Sequence, residues 1–152
     1  MHFFLILALQ ASLPLQITLQ PPIAMALHDE SLSVKGYVKV VTGNQMPGPA
    51  KSIHKSVPLE GIKVVAVSGS VKTIDEQPSI QLSSISSEMI KASTDKSGGF
   101  QFFLKQGLYT FFLVYKDKAY LNSFDGCGYF MTTKVTAATN DLLLIDDRNT
   151  IY

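Results

Sequence analysis

The run Thr94-Asp95-Lys96-Ser97-Gly98-Gly99-Phe100-Gln101-Phe102-Phe103-Leu104-Lys105-Gln106-Gly107-Leu108-Tyr109-Thr110-Phe111 constrains this chain more than any other stretch. Asp95-Lys96-Ser97-Gly98 is turn chemistry: the Asp carboxylate bonds the backbone that follows it, and Gly accepts positive φ. Phe100, Phe102 and Leu104 then share one face, with Gln101 and Lys105 on the other. Gln106-Gly107 makes a second turn, and Tyr109, Phe111, Leu113 and Tyr115 alternate on the return. A period of two is the mark of a strand. The expected unit is a hairpin whose apolar face covers another sheet. Burying each aromatic side chain stabilises by about 1.5–3 kcal/mol, so this face is expected to anchor the core. Phe103, Phe112 and Val114 fall on the opposite parity. They predict either a central strand covered on both faces or a sticky outer face.

The rest of the chain extends the pattern. Val34, Gly36, Val38 and Val40 share a face of one strand, and Ile62-Lys63-Val64-Val65-Ala66-Val67 is a β-branched second strand. Thr42 to Pro49 holds two prolines and two glycines and is expected to be loop, continuing to residue 58. Residues 68–88 fit neither period and are expected to be loop, with a short strand or one helical turn. Met89–Ser93 leads into the aromatic run, Lys116-Asp117-Lys118 is a polar turn, and Asp125-Gly126-Cys127-Gly128 is a tight turn. Thr132–Thr136 and Asp141–Ile145 complete about seven strands. Strands at this spacing, without a long amphipathic helix, predict an all-β sandwich.

The first 26 residues, MHFFLILALQASLPLQITLQPPIAMA, contain no Asp, Glu, Lys or Arg, and Ala24-Met25-Ala26 is a small-x-small cleavage pattern. They read as a secretory signal peptide, leaving residues 27–152 as one domain. A membrane anchor is the alternative. Gln10, Ser12, Pro14 and Gln16 interrupt the run of about 20 apolar residues that a spanning helix needs. The expected location is therefore exported, periplasmic or extracellular, with membrane contact only through the export signal. The single cysteine, Cys127, excludes an internal disulfide and a Cys-x-x-Cys zinc site. The net charge is +1 and Arg148 is the sole arginine, so there is no electrostatic case for nucleic acid.

Gly36-Tyr37-Val38, Pro58-Leu59-Glu60-Gly61-Ile62-Lys63-Val64 and the Thr94–Tyr109 run, in that order, resemble a carboxypeptidase regulatory-like domain. Gln106 stands where that family usually has proline before the glycine. The resemblance implies a transthyretin-like, antiparallel Greek-key sandwich of about seven strands. Gly43–Pro49 and Asn122–Gly126 resemble small exported bacterial versions of the domain, which implies export and suggests a non-catalytic role.

Candidate chemistry is sparse. A histidine-based hydrolase, as some transthyretin-like proteins are, would have to draw on His28, His54 and Arg148. A calcium loop at Asp125 would want a second acid where Cys127 stands. A reactive Cys127 would need a base or a positive neighbour. An isopeptide cross-link would join Lys39 to Asn140. Each of these is less favoured than ordinary loop, turn or surface roles. The best candidate binding residues are Asn44, Gln45 and Met46 in the first long loop, together with Asn122 and Asp125; loops on a rigid sandwich commonly carry recognition. A structural loop whose Met plugs the sandwich is the competing reading. The expected function is an exported, non-enzymatic binding or accessory module of the bacterial envelope, with no cofactor and an envelope protein or glycan as partner. A small hydrolase using His54, Asp125 or Cys127, or a structural spacer, is the alternative.

Overall fold

A computed structural model describes residues 30–44 and 55–151. The expected signal peptide, His28, Gln45, Met46 and His54 lie outside the described residues. Strands follow one another as β1 (Leu32–Asn44), β2 (Lys55–Pro58), β3 (Lys63–Ser68), β4 (Ser79–Gln81), β5 (Met89–Ser93), β6 (Gly99–Leu104), β7 (Gly107–Tyr115), β8 (Lys118–Tyr120), β9 (Thr133–Val135), β10 (Leu142–Asp146) and β11 (Thr150–Ile151). One 3-10 turn, Leu82–Ser84, follows β4. The fold is an all-β sandwich of two sheets.

The first sheet is organised on β1. Its Leu32–Tyr37 half pairs antiparallel with β6 and its Lys39–Thr42 half pairs antiparallel with β2. Along the other edge run β10 and then β11, both parallel to β1. The second sheet runs β4-β8-β7-β3-β5, with β9 also on β7. The seven expected strands are all present. The four additional ones, β2, β4, β8 and β11, have two to four residues each, too few to show a period in sequence. Residues 42–44, expected as loop, continue β1 because β2 and β11 supply partners for their backbone.

The aromatic run is not a hairpin. β6 lies in the first sheet and β7 in the second, so Lys105-Gln106 carries the chain across the sandwich. The two apolar faces meet each other: the Phe102 and Phe111 ring centroids are 5.8 Å apart. Paired side by side, these strands would have left both faces needing a third layer. Facing each other, they fill the core. Phe100, Phe102, Leu104, Tyr109 and Phe111 are all buried there with Val34, Val38, Val64 and Leu144. Gly36 is needed at this point, since a Cβ would strike the Phe100 ring and the Leu142 carbonyl.

The turn motifs tie the layers together. The buried Thr94 hydroxyl donates to the Leu59 carbonyl (2.6 Å) and accepts from the Ile62 amide (3.0 Å), clamping the Leu59–Ile62 turn. Asp95 Oδ1 accepts from the Ser97 amide, the Ser97 hydroxyl and the Gly99 amide. These bonds, the Ser97 hydroxyl first, hold its carboxyl below the usual carboxylate range. Gly98, at φ 77°, offers its carbonyl to the Val38 amide, which donates to it at 2.8 Å where β1 passes from β6 to β2.

β7 is covered on both faces. On its outer side Phe112, Val114, Val65, Val67, Ala119 and Phe130 form a second core. Residues 69–88 and 121–131 cross this face as a roof, contributing Val71, Ile85, Leu82, Leu121 and Phe124. The Phe112 and Phe130 rings meet edge to face at 5.0 Å. Phe103 has the other fate open to it: it is 64% exposed on the outer face of the first sheet.

Candidate functional site

The densest polar cluster among the described residues sits at the end of β10. Leu142, Leu144 and Asp146 share the inward parity of that strand, which carries a carboxylate into the sandwich. Asp146 and Asp147 are both buried. Arg148 folds back on Asp146 in a bidentate pair, Nε to Oδ1 at 2.9 Å and Nη2 to Oδ2 at 3.0 Å. The Tyr115 hydroxyl, from β7, donates to Asp146 Oδ2 at 2.7 Å. The Arg148 guanidinium also stacks on the Tyr115 ring, 3.1 Å from its centroid. Asp147 accepts from the Tyr120 hydroxyl of β8 and, at 2.7 Å, from the Asn122 side-chain amide.

The titration directions show what this cluster can do. For Asp146, burial pushes the carboxyl up, but the hydrogen bonds from Arg148 and Tyr115 outweigh it and hold the carboxyl below its ordinary value. Burial, then the bond to Asp146, pushes the Tyr115 phenol far above its ordinary range. The bond to Asp146 pushes Arg148 up despite partial burial. Every shift deepens the protonation state the group already holds at neutral pH. An acid–base catalyst needs the reverse, a group brought toward the working pH. The geometry is that of a clamp: the end of β10 in one sheet is bolted to β7 and β8 of the other.

Sequence reasoning singled out Arg148 as a hydrolase candidate and Asn122 as a binding candidate. Both are members of this clamp. The signal for it was present in Leu142-Leu143-Leu144-Ile145-Asp146-Asp147, where alternation turns an acid inward and so demands a partner. The partners Tyr115, Tyr120 and Asn122 lie 25 to 31 residues away along the chain, beyond the reach of local pattern.

The other sequence candidates are dispersed. Asp125 Oδ1 accepts from the Cys127 amide (2.7 Å) and the Tyr129 amide (3.1 Å), so the carboxylate holds its own turn. Cys127 is exposed in that turn. Asn44 ends β1 opposite Ile151. Lys39 pairs in register with Ile145 inside β10, whereas Asn140 precedes the start of that strand at Leu142, so the register does not set the two isopeptide candidates opposite each other. Among the described residues, no three His, Cys, Asp or Glu side chains gather as a metal site, and no helix is long and apolar enough to cross a membrane.

Several concavities and one surface remain among the described residues. A groove of about 550 Å³ runs along the seam between β5 and β6, bordered by Lys35, Lys91 and Asp95. A second, about 400 Å³, wraps the open edge of β10 and is lined by Val41, Leu121, Asn122, Leu143 and Ile145. It opens onto the outer face of the first sheet. There Tyr37 stands opposite Leu143 and Lys39 opposite Ile145. Tyr37, Leu143 and Ile145 are 46%, 50% and 44% exposed. Phe103 lies further along, past the Lys35–Gln101 row. No family model, curated protein or solved structure matches this chain.

Proposed function

We propose that the protein is an exported, non-enzymatic binding or accessory module of the bacterial envelope, a carboxypeptidase regulatory-like sandwich with Greek-key, transthyretin-like connections. The observation that carries the binding reading is the outer face of the first sheet, over which none of the described residues returns. Tyr37, Leu143 and Ile145 stand in solvent on it, while the chain roofs the equivalent face of the second sheet. A contiguous apolar face flanking a concavity is the signature of an interaction surface. The partner is an envelope protein rather than a glycan, because Leu143 and Ile145 are branched aliphatics. Sugar recognition uses flat aromatic platforms, whereas a protein partner offers an apolar patch to match. Asn122 borders the same concavity and would set its polar rim.

Two experiments test the two halves. Expressed as the full chain in a bacterium, the protein should accumulate in the periplasm or medium with a mass lacking residues 1–26; retention of the intact chain in the cytoplasm refutes export. A photo-crosslinking amino acid at Tyr37 should give one discrete adduct in cells, lost when Leu143→Ser and Ile145→Ser are combined. A crosslink that survives this double change, or that forms only when residues 44–49 carry the probe, moves the binding site to the first long loop.

A further inference from the structure

We propose a second binding site, for the anionic head of a small amphiphile, in a notch where the roof over the second sheet stops. The site is independent of the protein-binding face. The notch has a volume of about 340 Å³, at the lower end of the range of small-molecule pockets. Its floor is Val65 and Val114, both buried, with Leu82 of the 3-10 turn as its wall. Around this apolar floor stand Lys63, Lys91 and Lys116.

The sheet register brings these lysines together. On the outer face Lys63 lies between Ser93 and Val114, and Val65 lies beside Lys91. Lys63 and Lys91 are therefore diagonal cross-strand neighbours, about 7–8 Å apart. Lys116 follows Val114 by two residues, in the tight β7–β8 turn, at φ 57°. Glycine or asparagine is the ordinary choice for that backbone. Among the described residues none of the three lysines has a carboxylate partner within ion-pair distance. Like charges converging on a concave apolar floor focus a positive potential into it. A ligand that suits this site has one or two negative charges at the lysines and a short apolar body on Val65, Val114 and Leu82. A carboxylate, sulfate or phosphate monoester satisfies that description.

The probe is phenyl phosphate, titrated into the full chain while methyl and amide resonances are followed, with benzoate to separate carboxylate from phosphate heads. Saturable shifts are expected at Val65, Leu82 and Val114. Lys63→Gln with Lys91→Gln should weaken binding at least ten-fold. Lys116→Gly removes a charge while relaxing the turn, so it should weaken binding without lowering the unfolding midpoint, separating loss of charge from loss of fold. The proposal is overturned if neutral benzyl alcohol saturates the same resonances with equal affinity. It is equally overturned if the shifts spread without saturation to Lys35 and Lys39, or if the lysine variants bind as tightly as the parent.

Discussion

Both sheets carry apolar residues on their outer faces, yet those faces end differently. β7 places Phe112 and Val114 outward, and the chain returns twice to cover them, with residues 69–88 and 121–131. β1, β6 and β10 place Tyr37, Phe103, Leu143 and Ile145 outward, and among the described residues nothing returns over them. The difference shows where apolar residues serve the fold and where they are left for something else. Coverage decides this, because burial and not residue type sets the stabilising contribution.

The largest expected break in this comparison comes from one substitution made on each side. Phe112→Ala, under the roof, should cost about 3–5 kcal/mol through lost transfer and an unfilled cavity. Phe103→Ala, the same chemical change on the bare sheet, should shift stability by about 0.5 kcal/mol or less. Urea unfolding of the pair measures both. Equal losses would mean that the bare face is covered after all.

Next in size is Gly98→Ala. The backbone there has φ 77°, and a Cβ would lie 2.6 Å from the Val38 carbonyl oxygen, at the junction of β6 and β2 in the first sheet. Strain plus collision should cost about 2–3 kcal/mol. Gly126→Ala, at the same φ but with open space around it, should cost about 1 kcal/mol. Thermal unfolding of the two variants separates collision from backbone preference.

The clamp that joins the sheets should matter less, by about 1–2 kcal/mol for Asp146→Asn, and its loss should be visible in the pH dependence. Asp146 has a lower pKa folded than unfolded, so in mild acid the unfolded chain binds more protons. Its contribution is fully present above the unfolded value of about 3.9. It is lost as the pH falls through the depressed folded value. The variant should therefore show a shallower acid decline below about pH 4 than the parent. The smallest effect on stability, about 0.5 kcal/mol or less, is expected for the combined Leu143→Ser and Ile145→Ser change. The same change should abolish the crosslink from Tyr37, and an unfolding midpoint that drops sharply would show that this face is structural.

Several of these features were readable in advance. The faces of β1, β3, β6 and β7 follow from alternation, and the Asp95 turn follows from an Asp two and four residues before free amides. Phe112 and Phe103 both stood out by parity, but parity is silent on whether a distant segment comes back to cover them. The pairing of β6 was misread for a related reason. A short Gln-Gly link permits either a hairpin or a crossing, and the choice turns on what each strand finds beside it: β1 for β6, and β3, β8 and β9 for β7. Tyr115 reads as one more member of an apolar face, Asn122 as a loop residue open to a partner and Asp147 as a surface acid, until the sheets close.

Local order along the chain is therefore what the amino-acid sequence determined alone: which residues are extended, which face is apolar, where glycine or Asp-Lys-Ser-Gly forces a turn. These depend on interactions within a few residues, whose energies are set by neighbouring side chains and the backbone. Strand partners, the roof over one sheet, the clamp at Asp146 and the lysine notch were decided only by tertiary structure. Each joins segments tens of residues apart, and their meeting depends on how the whole core satisfies its buried area at once.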